Sequence, residues 1–319
     1  MHMNSTTIQR FIRLAQVTLI FVYLVIIAGS VVRATGSGMG CPDWPKCFGH
    51  WVPPTDVSQL PENYRDIYAG EHHAVAEFNA LNTWVEYGNR LFGAVLGLLI
   101  FIQFILSFKF RKADKRIFTL SFIEFILIGF QGWLGAKVVS SNLAPVKITT
   151  HMVVALIILA IAISIIQRAK KLNGELRENS VDPLVKKLSI AVLAFTIVQI
   201  MLGTQVREEV DVLLKNFDAV FRGEVVDHLG IAFKIHRTFS LALMAVNGWL
   251  IIKILKSNAT DILKNKGKLL AATLICAFAA GVILGYFALP PAFQPIHFLL
   301  ACIAFGLQYV IILRVWKRG

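Results

Sequence analysis

The sequence predicts an all-α integral membrane protein whose eight transmembrane helices form two pseudo-symmetric four-helix bundles, related by a parallel internal duplication. Three observations carry this expectation. The chain of 319 residues is 56% hydrophobic and only 16% charged, too apolar for a soluble domain of its size. Eight apolar stretches each run for about 20 residues, the length that crosses a hydrocarbon core of about 30 Å. Short motifs also recur between the two halves at nearly constant spacing.

The stretches fall at 11–33, 84–108, 117–139, 146–167, 187–206, 230–252, 269–289 and 293–313. The first is too long for a signal-peptide core and lacks a small-residue cleavage site, so it reads as a retained helix. Between the first and second lies a long outer loop, residues 34–83, rich in Gly, Pro, Asp and aromatic side chains, with helical potential over 66–81. The remaining connections alternate in charge. Lys109, Arg111, Lys112, Lys115 and Arg116 fill one, Arg168, Lys170, Lys171, Lys186 and Lys187 the next of that set, and Lys253, Lys256, Lys264, Lys266 and Lys268 the third. The alternate loops carry Asp43, Asp56, Glu62 and Asp66, and then Glu208, Glu209, Asp211 and Asp218. The positive-inside rule then predicts a multi-pass protein of the plasma (inner) membrane with both termini cytoplasmic. The net charge of +13 is a topology signal rather than a nucleic-acid footprint.

The repeat is specific. Gly29-Ser30-Val31-Val32-Arg33 resembles Gly203-Thr204-Gln205-Val206-Arg207, Arg90 and Phe92 match Arg237 and Phe239, and His151 with Ala155 matches His297 with Ala301. From Asn89 to His151 is 62 residues and from His236 to His297 is 61. Two halves follow, 1–170 and 171–319. They differ chiefly in the first outer loop: Arg33 to Asn89 spans 56 residues, Arg207 to His236 only 29.

His236 and His297 each open a helix entered from outside. Ligating side chains in an apolar span are costly and mark function by default. Two imidazoles at matched depth are what a haem ligated axially by two histidines requires, one nitrogen for each face of the ring; the bland alternative is a hydrogen-bonded interface pair. Zinc would want further Cys, Asp or Glu at that level. Arg90 and Arg237 follow the two ligand positions and suit haem propionates, or else snorkel to headgroups. Glu86 lies three residues before Asn89, on the same helix face, and its counterpart in the second half is Phe233. An acid present in one half only points to chemistry there and to cofactor holding in the other; the alternative is a rim carboxylate paired with Arg90. Cys41 and Cys47 flank two prolines in a short loop on the oxidising side, which suits a disulfide serving as staple or as redox couple. Cys276 and Cys302 read as buried small apolar residues.

These residues together resemble the haem A synthase family. The resemblance covers nearly the whole chain and rests on Gly-Ser-Gly-Met-Gly-Cys-Pro-Asp-Trp-Pro-x-Cys from Gly36 to Cys47, on Glu86-x-x-x-Arg90, and on the histidines opening the fourth, sixth and eighth helices. It implies that His236 and His297 hold the iron of a haem b cofactor, with Arg237 beside it. It implies that substrate haem O sits near His151, Asn89 and Arg90, and that Glu86 is catalytic. It also places the protein after haem O synthase on the route to cytochrome oxidase assembly, in a lipid bilayer, with electron donor and homo-oligomerisation left open. One departure stands out: Asn89 occupies the position of a helix-two histidine. Either His151 alone holds the substrate iron, or a loop histidine such as His72 or His73 substitutes, or this half has lost catalysis. The rival from another class is a membrane cytochrome that relays electrons; a transporter would want polar midplane helices.

Overall fold

Runs of apolar side chains with their backbone polar groups bonded internally leave the helix as the spanning element, and each of the eight apolar stretches forms one. The computed structural model describes residues 4–69, 77–141, 143–176, 181–216 and 222–316. In chain order the helices are α1 (Ser5–Ala34), α2 (Tyr64–Tyr68), α3 (Ala80–Ser107), α4 (Lys115–Ser140), α5 (Pro145–Leu172), α6 (Pro183–Asn216), α7 (Arg222–Asp227), α8 (Ile231–Lys256), α9 (Asp261–Tyr286) and α10 (Phe293–Val315). All but α2 and α7 are candidate spans, so the chain is a multi-pass membrane protein.

Several ends extend past the apolar runs because local chemistry sets them. Asn4 caps α1 by accepting from the Thr6 amide, which draws the polar first turns into the helix. Asp114 caps α4 in the same way and also takes Arg168 of α5 in a two-pronged pair at 2.9 and 3.0 Å. Prolines stand at the first position of α5 and α6, where the missing N–H costs nothing. Helix α6 outruns the predicted 187–206 because its apolar period continues. Val206, Val210 and Leu213 pack with Val225 and Leu229 while Arg207 pairs with Asp211 at 2.7 Å. Of the helical stretch expected over 66–81, α2 and the start of α3 are helical, and residues 70–76, with His72 and His73, lie outside the described residues.

Contacts group the chain into two units, Met1–Ala169 and Lys170–Gly319. In the first, α3 packs between α1 and α4, and Phe11 meets Phe110 at 4.5 Å. In the second, α8 packs on α6 and α9, and α10 on α6 and α9, around Val192, Leu250, Leu263, Leu270 and Ile311. Cys302 is buried as expected, but Cys276 lies on the exposed face of α9: an apolar helix in lipid gains nothing by turning every thiol inward.

The loop between α1 and α3 has a small core of its own. Cys41 and Cys47 are joined in a disulfide and wholly buried with Phe48, Leu60 and Tyr64. Phe48 is the hub, edge-on to Tyr64, Tyr68 and Phe78 at 5.5–6.0 Å. Asp43 accepts from the Phe48 and Gly49 amides. Burial, then the Asp43 charge, pushes the Tyr68 hydroxyl above the usual phenol range. The loop docks on α3 at Gly40, where a Cβ would come within 2.5 Å of the Asn82 carbonyl oxygen. Since the opposing group is backbone, Gly40→Ala should shift the loop off α3 and destabilise by about 1–3 kcal/mol. Thermal unfolding in detergent checks this; an unchanged midpoint would show that the contact is slack.

Candidate functional site

In the second unit α8 presents His236 and α10 presents His297. Their ring centroids lie 6.3 Å apart, with planes inclined at 73°. The Nδ1 of His297 is 2.8 Å from the Ala277 carbonyl oxygen, which can only accept, so Nδ1 carries the proton and Nε2 keeps its lone pair. Gln199 of α6 donates to the His236 backbone carbonyl at 3.0 Å, and its amide nitrogen lies 3.4 Å from the ring's Nε2. Each ring lies against a glycine. A Cβ at Gly203 of α6 would sit 3.2 Å from His236 Cε1, and one at Gly281 of α9 would sit 3.0 Å from His297 Cε1. Arg237 is exposed, its guanidinium 5.7 Å over the Phe233 ring.

The first unit places its residues in a related way. His151 of α5 is packed so that a Cβ at Gly135 of α4 would lie 3.6 Å from its Cε1, and a Cβ at Gly29 of α1 would lie 3.8 Å from Asn89 Oδ1 on α3. Gln131 of α4 donates to the His151 carbonyl at 2.9 Å. Several buried polar atoms here and in the second unit have no partner among the described residues: Asn89 Oδ1, Gln131 Oε1, His151 Nδ1, Gln199 Oε1 and His236 Nδ1. Buried polar groups are normally satisfied, so these atoms mark the places in each unit where a further partner would fit.

Glu86 and Arg90 do not stand free at the rim. Glu86 is buried; one carboxylate oxygen accepts from the Cys41 amide at 2.9 Å and the other from Arg90 at 2.6 Å. Arg90 also donates to the carbonyls of Asp43 at 2.7 Å, Lys46 at 2.9 Å and Cys41 at 3.0 Å. Its four terminal N–H groups are therefore spent on the disulfide loop and Glu86. The sequence put Glu86 three residues before Asn89, and both lie on α3, but it gave no sign of this clamp, because carbonyl acceptors carry no side-chain signature. The glycines opposite each ligand position, and Gln131 and Gln199, were also missed. Gly29 and Gly203 were visible as a repeated motif, yet their partners follow only from helix packing.

A multi-pass helical membrane protein with a facing imidazole pair in one unit, and a buried Glu–Arg clamp on a disulfide loop in the other, defines a narrow class. Within it, the chain belongs to the cytochrome oxidase assembly protein family COX15-CtaA, whose model matches residues 12–309. It is similar to the heme A synthase of Shewanella oneidensis MR-1, 30% identical over 219 residues, covering 69% of this chain and 63% of that protein. It is 24% identical over 319 aligned residues to the heme A synthase of Flavobacterium johnsoniae UW101, covering 88% and 91%. To the heme A synthase of Bacillus cereus AH187 it is 30% identical over 151 residues, covering 47% and 41%. The match thus spans less than two thirds of the Shewanella and Bacillus relatives.

Truncating Arg90 strands a buried carboxylate and three carbonyls, so Arg90→Ala should cost about 3–5 kcal/mol and expose the 34–69 loop to protease. Arg237→Ala should leave the melting midpoint within a degree or two. Equal effects of the two substitutions would overturn the clamp assignment.

Proposed function

We propose that this chain is a haem A synthase, a membrane oxidoreductase that oxidises a methyl group of haem O to a formyl group, with a haem b held between His236 and His297. The observation that carries the reading is the imidazole pair. Two metal–nitrogen bonds of about 2 Å, with the half-ring behind each, come to about 6 Å, against 6.3 Å between the ring centroids. Among the described residues no cluster of three or more His, Cys, Asp or Glu could hold an ion, so the donor set suits a metal that brings its other ligands with it, as a porphyrin iron does. The names of the relatives agree with this reading.

Bound haem supplies the redox chemistry. The chain supplies position, proton handling and a dry pocket. Ala277 fixes the His297 tautomer, Gln199 anchors the turn that bears His236, and the glycines leave room for the rings. Arg237, exposed and next to His236 in the chain, would pair with a propionate carboxylate. In the N-terminal half His151 would hold the substrate haem from one side, with Asn89 lining the other face. Glu86 is the catalytic acid of that half, handling a proton or stabilising charge. Arg90 serves the substrate site by fixing the loop and orienting Glu86. Both cysteine sulfurs are buried in the loop core, which favours a structural staple over an exchanging couple. Supporting an internal duplication, a glycine faces each of the four positions Asn89, His151, His236 and His297. On this reading the protein lies in the plasma membrane with cytoplasmic termini and acts between haem O synthase and cytochrome oxidase assembly.

A relay cytochrome is the second reading, favoured by Asn89, since an amide is a poor iron ligand. Membranes supplied with haem O should yield haem A on extraction only when this protein is present; unchanged haem composition would leave the relay. His236→Ala and His297→Ala should each abolish a low-spin b-type spectrum or turn it high-spin, and normal spectra in both would sink the assignment.

The Asn89→His variant separates the two readings further. In an enzyme that uses one axial ligand, a second imidazole should make substrate haem low-spin and cut haem A formation while binding holds or tightens. In a relay it should add a low-spin centre with haem composition unchanged.

A further inference from the structure

The first unit buries a second acid that the proposed chemistry leaves unused. Glu124 is the tenth residue of α4, about 14 Å along the helix from its start at about 1.5 Å per residue, and it is fully buried. Gln103 of α3, also buried, donates to one of its oxygens at 2.7 Å. The other Glu124 oxygen, Gln103 Oε1 and Ser121 Oγ have no partner among the described residues, and no cation pairs with the carboxyl there. These groups lie on the faces that lead to the substrate position. Glu124, Gln131 and Gly135 follow at seven and eleven residues along one stripe of α4, and Gln103 follows Asn89 at fourteen on α3.

Packing alone does not call for an acid here. The offset that carries Asn89 to His236 (236 − 89 = 147) carries Gln103 to Leu250, and the offset from His151 to His297 (297 − 151 = 146) carries Glu124 to Leu270. Both leucines are fully buried in one apolar cluster of the second unit. Where that unit does join helices through buried polar groups, it uses a neutral amide pair, with Gln308 donating to Asn247 at 2.9 Å. A carboxyl in an apolar span is costly and needs a use.

We propose that Glu124, held by Gln103, carries protons to the N-terminal site from the side of the membrane where α4 begins. This rests on the haem A synthase reading. Hydroxylating a methyl C–H with O2 puts one oxygen atom into that bond and releases the other as water. The balance takes two protons and two electrons, the latter from a one-electron donor such as a reduced haem. Glu124 gives up a proton toward Gln131 and the His151 pocket and is reprotonated through the Ser121 side.

Glu124→Gln, and the double variant Gln103→Leu with Glu124→Leu that copies Leu250 and Leu270, would be compared with the native protein in liposomes. Haem content, visible spectrum and melting midpoint should hold. Haem A formation from haem O should fall about tenfold or more, with Glu124→Asp in between. In the infrared, a carboxyl C=O band that shifts when bound haem is reduced should vanish in Glu124→Gln. Normal turnover and an unchanged band in Glu124→Gln would overturn the proposal. So would activity lost only in proportion to unfolded protein, which marks the pair as interhelical glue. If the native protein forms no haem A while the band still disappears, the enzymatic reading fails and the proton role of Glu124 survives it.

Discussion

The guanidinium of Arg90 needs four acceptors once it is pressed under the 34–69 loop, and it finds them in three carbonyls of one short turn and in Glu86. That fork ties the 41–47 turn to α3. The carbonyls of Cys41, Asp43 and Lys46 converge only because the Cys41–Cys47 bridge closes the turn, and the turn reaches α3 only because Gly40 has no side chain. The carboxylate of Glu86 in turn is tolerable in a buried place because the Cys41 amide and Arg90 both bond it. Remove Arg90 and the buried Glu86 carboxylate loses its charged partner, at a cost of about 1–3 kcal/mol or more, while the Lys46 carbonyl at the exposed edge can turn to water.

The same constraint, room for a polar group against a helix backbone, recurs at the histidines. An imidazole lying between tightly packed helices needs a neighbour without a side chain, and Gly135, Gly203 and Gly281 provide it. Small residues are how helices approach closely in lipid, where no hydrophobic force drives them together. Here the approach leaves space for rings rather than for backbone contact. The carbonyls of Ala277 and His236 then act as fixed anchors, one for a ring nitrogen and one for a glutamine.

The two units spend their buried polar groups differently. Among the described residues, the buried polar side chains of the second unit are uncharged: Ser189, Thr196, Thr204 and Thr273, with Asn247 and Gln308 joined as an amide pair. The first adds two buried acids, Glu86 and Glu124, at two levels of the α3 and α4 faces.

The sequence by itself determined the number and order of the spanning helices, because about 20 apolar residues in a row can do little else in a bilayer. It also set Asn89 against His236 and His151 against His297 by their spacing, and left Glu86 opposite Phe233. It could hint at the cysteine bridge but not at its core around Phe48, and it read Arg90 as a rim charge. What only the tertiary structure decided are the contacts made to backbone: the carbonyls that saturate Arg90, the Ala277 oxygen that sets the His297 tautomer, and the glycines opposite the rings. Backbone groups are the same at every position, so no residue type announces them. The pairing of Gln103 with Glu124 was hidden for a related reason: partners 21 residues apart on antiparallel helices meet only through interhelical register, which follows from packing rather than from composition.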